Sequence, residues 1–189
     1  MKIGFFGGSF NPPSNIHINL ANKLIVEFKL DKLFFVPVGN YYEKEMLIDA
    51  KHRYNMLKLA INNNSNMAIE NIGVESKTKL YTIDIFKLLK EKYRNDDTFF
   101  IMGSDNFRKM PTWRNYEELI NNYNIIVVER ERKEIRANTR QNILCYIPEK
   151  VEKVDSTKIR NMIKNNENVQ EFLANEVYEY IRKNNLYIT

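Results

Sequence analysis

The chain contains a single cysteine, Cys145. That excludes an internal disulfide framework or a site built on several thiolates, and it fits a reducing, cytoplasmic setting. No apolar run approaches the ~18 residues that a membrane span needs. The longest runs, such as Ile125-Ile126-Val127-Val128, are only of strand length. The apolar segment after Lys2 meets glycines within a few residues, unlike the core of a signal peptide. Internal repeats, low-complexity linkers and carboxylate clusters of the kind that cage a metal are all missing. Charge of one sign is not gathered into blocks either. The 29 Lys+Arg and 24 Asp+Glu leave a net charge of +5, scattered along the chain. Scatter of this kind reads as a solvated surface and selects no partner. No nucleic-acid motif accompanies it, so neither nucleic acid nor membrane is expected as a partner.

What is present is a core. With 189 residues and 43% hydrophobic composition, the chain can bury one without staples and is predicted to be one domain, residues 1–189. Six short runs rich in Ile, Val and Phe read as strands buried on both faces: Lys2–Phe6, Leu33–Val38, Met67–Glu70, Thr98–Met102, Tyr123–Val128 and Ile143–Ile147. Helical spacing falls between and after them. Leu20, Ala21, Leu24, Ile25 and Phe28 share one face, as do Met56, Leu57, Ala60 and Ile61, and again Ile85, Phe86 and Leu89. Further helices are predicted from near Ser156 and up to near Asn184. Residues 130–142 are charged, lack a clear period and read as a loop. Strand–helix alternation predicts an α/β fold, a parallel sheet with helices on both faces and a helical C-terminal segment. Ligands then belong beyond the carboxyl ends of the strands.

Strand one runs into Gly7-Gly8-Ser9-Phe10-Asn11-Pro12-Pro13-Ser14-Asn15-Ile16-His17. Two glycines suit a tight turn close to a ligand, and two prolines stiffen the loop beyond them. The helix start after the prolines favours an anion. His17 falls on its first turn, where an imidazole can donate to a phosphate. Spacing alone also allows a plainer role, since His17, Ala21 and Leu24 continue an apolar stripe. Near the other end stands Val154-Asp155-Ser156-Thr157-Lys158-Ile159-Arg160. There Ser156 or Thr157 can cap a helix whose free amides face an anion, and Arg160 lies one turn on. Taken by itself this is also an ordinary capped helix.

Together the two strings resemble the signatures of the nucleotidylyltransferase superfamily. Gly8, Phe10, Asn11, Pro12 and His17 match the first, Gly-x-Phe-[Asp/Asn]-Pro-x-[His/Thr]-x-Gly-His. Ser14 stands for its His or Thr, where it keeps a hydroxyl able to donate to a phosphate, and Ile16 for its Gly. In the second, [Ile/Val]-Ser-Ser-Thr-x-[Ile/Val]-Arg, Asp155 replaces the first serine. The resemblance implies a Rossmann-like doubly wound sheet and transfer of a nucleotidyl group from a nucleoside triphosphate carrying magnesium, with no organic prosthetic group. It makes His17, Ser14, Lys44 and Arg160 catalytic candidates. It places ATP against Gly7, Gly8, Ser9, Phe10, Asn11, His17, Gly103, Asp105, Ser156, Thr157 and Arg160.

Four further segments resemble the nicotinate/nicotinamide mononucleotide adenylyltransferases. They are residues 51–61, Tyr81-Thr82-Ile83-Asp84, Phe100-Ile101-Met102-Gly103-Ser104-Asp105 followed by Trp113, and the ending 175–187. The resemblance implies ATP and nicotinate mononucleotide as substrates, with the mononucleotide held by Lys44, Tyr81, Thr82, Trp113 and Arg130. Each residue also has a physical reading. Trp113 can stack on a flat ring or anchor a surface. Amides of a helix opening at Tyr81 and Thr82 can hold a carboxylate or simply follow a cap. Asp105 can bind a ribose hydroxyl or cap the next turn. Arg130, just past the fifth run, can meet an anion or face solvent. After strand two, Val38-Gly39-Asn40-Tyr41-Tyr42-Glu43-Lys44 departs from that family's Pro-Pro-His-Lys, and His52 reads as a surface residue. Other acceptors, a binding module with lapsed catalysis and a homo-oligomer all stay open.

Overall fold

A computed structural model describes residues 1–42, 46–62, 64–129, 140–149 and 154–188. Each of the six apolar runs is a strand: β1 Lys2–Gly8, β2 Lys32–Pro37, β3 Met67–Ile69, β4 Asp97–Gly103, β5 Asn124–Val128 and β6 Ile143–Tyr146. All pairings are parallel, in the order β3-β2-β1-β4-β5-β6. The order reverses between β1 and β4, so a crevice opens beyond their carboxyl ends.

Helices occupy the intervals. They are α1 Asn15–Glu27, α2 Ala50–Ile61, α3 Ile72–Glu75, α4 Thr82–Lys92, α5 Ser104–Lys109, α6 Tyr116–Asn122, α7 Ser156–Lys164 and α8 Asn175–Lys183. The short α3, α5 and α6 lack the length for a readable period and were not predicted. α2 starts at Ala50, earlier than its apolar stripe, because Asp49 accepts a hydrogen bond from the Lys51 amide and caps it. Among the described residues no helix is long and apolar enough to cross a membrane.

Strand alternation sends Phe5 and Phe6 to opposite faces, and each face has its own core. Phe5, Phe100, Ile125 and Val127 pack with Phe86 and Leu89 of α4 and with Leu119 of α6. Phe6, Phe35, Ile101 and Ile126 pack with Ala21 and Leu24 of α1 and with Leu57 of α2. A third cluster lies farther out, where Met56 of α2 meets Ile159 of α7 and Val177 and Ile181 of α8. α2 is therefore buried on two sides, and the C-terminal helices are tied to the sheet through it.

Candidate active site

β1 continues two residues past its predicted end, with Gly7 beside Val36 and Gly8 beside Pro37. The turn comes at Phe10, whose φ of 46° is left-handed, and no glycine among the described residues has a positive φ. The glycines thus do not supply the predicted turn. Gly8 makes room for the protein's own aromatic, since a Cβ there would lie 2.9 Å from the Phe10 ring. That ring is 2% exposed and packs edge-on against Phe6 and Phe35. Gly7 differs, because a Cβ there would meet nothing within 4 Å. Its bare backbone borders open space at the crevice.

The next residues turn inward. Asn11 is fully buried: its Oδ1 accepts from the Tyr187 hydroxyl at 2.8 Å, and its Nδ2 donates to the Met46 carbonyl at 2.8 Å. Ser14, extended and 2% exposed, is the N-cap of α1. Its hydroxyl sits 2.8 Å from His17 Nδ1, and its backbone N–H donates to the same nitrogen at 3.1 Å. A backbone N–H can only donate, so Nδ1 accepts and the neutral ring carries its proton on Nε2. His17 is half-buried, with its ring edge-on to Phe10 at 5.4 Å. It belongs to the apolar stripe and is also aimed.

α7 is capped by Asp155, whose carboxylate accepts from the Lys158 amide at 2.8 Å. The residue that departs from the signature is therefore the cap, in place of Ser156 or Thr157. Ser156 is freed to donate to the Pro12 carbonyl at 2.9 Å, and Thr157 accepts from Arg160 Nη2 at 3.3 Å. Arg160 is 4% exposed and donates from Nη1 to the Asn11 carbonyl at 2.8 Å. Its Nε is buried and, among the described residues, has no hydrogen-bond partner. Segments from opposite ends of the sequence therefore meet as one structure.

Arg53 is a further cation at this place, absent from the predicted site. It is fully buried and donates to the carbonyls of Ile48 (3.0 Å), Ser9 (2.9 Å) and Val38 (2.6 Å), joining the loops after β1 and β2. Burial lowers its pKa to about 10, so it stays charged at neutral pH. Among the described residues neither Arg53 nor Arg160 has an ion-pair partner. Two buried guanidiniums with no ion pair among the described residues add positive potential to the loop, which favours a polyanion. A signal for Arg53 existed: it shares the buried face of α2 with Met56 and Leu57, at helical spacing.

On the other side of the crevice, α4 opens after Tyr81 as predicted, and the Tyr81 amide donates to Asp84 at 2.9 Å. The Thr82 and Ile83 amides fall in the first turn, where a helix has no partner of its own for them. The Tyr81 ring is 41% exposed, with the Arg114 guanidinium 5.1 Å and the Lys79 ammonium 5.7 Å from its centroid. The Arg114 contact brings the Trp113 segment to the start of α4. Trp113 is half-buried against the core after the short 3₁₀ turn Met110–Thr112.

β4 ends at Gly103, which precedes α5, and Asp105 lies in that helix's first turn at the point where strand order reverses. Beside it Ser104 donates to the buried Glu129 carboxylate at 2.7 Å, a pair the sequence did not reveal. His52 is half-buried rather than fully exposed: its Nδ1 lies 3.0 Å from the Tyr180 hydroxyl and links α2 to α8. Lys44 and Arg130 lie outside the described residues, as does most of the predicted 130–142 loop.

Residues 5–162 match the model of the cytidylyltransferase-like family. A Bacillus subtilis protein named nicotinate-nucleotide adenylyltransferase is 35% identical over 188 residues, 98% of each chain. Among solved structures, a Plasmodium falciparum nicotinic acid mononucleotide adenylyltransferase complexed with NaAD superposes with a TM-score of 0.84. It is 23% identical, and the match covers 98% of this chain and 97% of that one. The same Plasmodium enzyme complexed with APC gives a TM-score of 0.83 at 23% identity, over 98% of this chain and 96% of that one.

Proposed function

The chain belongs to the cytidylyltransferase-like family, and on that premise we propose that it transfers the adenylyl group of ATP to nicotinate mononucleotide. The products are deamido-NAD and pyrophosphate. One observation carries the reading: the Gly7–His17 loop and the start of α7 are joined by Ser156 and Arg160 beside the sheet's switch point. Full-length identity to the Bacillus subtilis enzyme supports the acceptor.

In this reaction a phosphate oxygen of the mononucleotide attacks the α-phosphorus of ATP, and the bond to pyrophosphate breaks. No covalent enzyme intermediate is needed, so alignment and charge neutralisation supply the rate. His17, with Nδ1 occupied, offers Nε2–H to the α-phosphoryl oxygen. Gly7 lets the triphosphate approach the backbone. Arg160 and the α7 amides, with Ser156 and Thr157, face the β- and γ-phosphates, and Arg53 adds positive potential from below. Asp105 and Gly103 take the ATP ribose side. Thr82 and Tyr81 amides take the nicotinate carboxylate, Trp113 takes the ring, and Lys44 and Arg130 are further anion clamps. Among the described residues no three of His, Cys, Asp or Glu converge to hold a metal. The donor set suits a magnesium ion carried by the phosphates of ATP, where it would neutralise charge on them. The protein acts as one domain, in the cytoplasm.

The test is pyrophosphate release from ATP and magnesium with nicotinate mononucleotide, nicotinamide mononucleotide or phosphopantetheine. Release with the nicotinate compound is expected. Release only with another acceptor would reassign the substrate. No release from protein that still binds ATP would leave a nucleotide-binding module.

A further inference from the structure

The segment after α8 has no part in the transfer chemistry, yet it reaches the underside of the phosphate loop. Tyr187 is 6% exposed, and its φ of 67° is a left-handed conformation that bulky side chains seldom adopt. Such a conformation persists only where surroundings enforce it, and it clusters at functional sites. The Tyr187 hydroxyl meets Asn11 Oδ1 at 2.8 Å across 176 positions of sequence. The direction of this bond is fixed. Asn11 Nδ2 donates to the Met46 carbonyl, so Oδ1 must accept and Tyr187 must donate. Burial pushes the Tyr187 phenol well above its ordinary pKa, so the donor keeps its proton. Arg160 holds the same residue by its carbonyl. Asn11 is thus gripped at three atoms, directly after the left-handed Phe10 and just before the turn that presents His17.

We propose that Tyr187 is a positioning residue of the ATP half-site: by holding Asn11 it sets the loop that receives the triphosphate and the placement of His17. Neither signature segment contains it. The proposal rests on the adenylyl-transfer reading of the site. Without the hydroxyl, Asn11 Oδ1 would be left buried and unpaired, which a loop relieves by moving. The mononucleotide side, built from α4 and the segment after β4, does not share this support.

Tyr187→Phe removes one oxygen and keeps the ring in the cluster around α8. Loss of a buried hydrogen bond that positions reacting groups should weaken the Kd for ATP about fivefold and lower kcat about tenfold. The KM for nicotinate mononucleotide should stay within about twofold, because that half-site is untouched. In a His17→Ala background the same change should alter the residual kcat by less than about twofold, since the hydroxyl acts through the placement of His17. Three results would each overturn the proposal: an unchanged kcat, equal weakening of both substrates, or a further tenfold loss without His17. Failure of the functional reading is visible separately, as a wild-type protein that releases no pyrophosphate with nicotinate mononucleotide. The ATP Kd needs no acceptor and still decides: a Tyr187→Phe value within about twofold of wild type rejects the positioning role.

Discussion

The loop from Gly7 to His17 and the side of the crevice formed by Tyr81 and Trp113 are held by different means. In the first, Asn11, Ser14 and Arg160 are each at most 4% exposed, and their hydrogen bonds run to other parts of the same assembly. In the second, Tyr81 is 41% exposed, and its neighbours Arg114 and Lys79 contact it across an aromatic face at the surface. Contacts of that second kind contribute about 0.5–1 kcal/mol, while breaking a buried hydrogen bond costs about 1–3 kcal/mol. The Gly7–His17 loop is thus the more firmly fixed of the two, and the Tyr81 and Trp113 side rests on weaker, more exposed contacts.

The sharpest way to expose the fixed side is His17→Ala. We expect kcat to fall by roughly a thousandfold or more with little change in ATP affinity, because the imidazole acts on charge that develops only in the transition state. Turnover near wild type in steady-state assays would put the chemistry elsewhere. Next comes a contrast between adjacent glycines. Gly8→Ala sets a Cβ against the Phe10 ring and should cost about 1–3 kcal/mol of stability in chemical denaturation. Gly7→Ala meets no protein atom within 4 Å and should leave the denaturation midpoint in place while weakening ATP binding. Equal midpoints for the two variants would mean that the Phe10 ring yields freely. The smallest effect belongs to the open side. Trp113→Ala should raise the KM for nicotinate mononucleotide up to about tenfold and the KM for ATP less, as expected from loss of one aromatic stack. Parallel changes in both would remove the distinction between the halves.

The sheet was legible because its strands are short, apolar on both faces and separated by helices with a clear stripe. All six were found within one or two residues of their ends. The helices missed, α3, α5 and α6, are too short to show a period. The meeting of the two motif segments was legible from their resemblance to the signatures, and the structure joins them through Ser156 and Arg160. The site was illegible where a polar residue serves the protein's own interior. Arg53, in the run Lys51-His52-Arg53, looks like solvated charge, and only its spacing from Met56 and Leu57 hints otherwise. Tyr187 lies beyond α8, where no periodicity reports burial. Gly8 was given a turn because glycine commonly makes one, while the actual turn fell to Phe10. Asp155 looked like a damaged signature position, yet a carboxylate caps a helix as well as a serine does.

The Gly7–His17 loop is fastened by Ser156, Arg160 and Tyr187, at separations of 144, 149 and 176 residues. A ribosome adds about 5–20 residues per second. For the seconds between release of β1 and emergence of the C-terminal helices, the nascent chain carries its nucleotide signature without the parts that shape it. Contacts so distant in sequence also form late, after the loops they close have lost their freedom. The three fastenings of this loop are therefore made only once the C-terminal helices and Tyr187 have been synthesised.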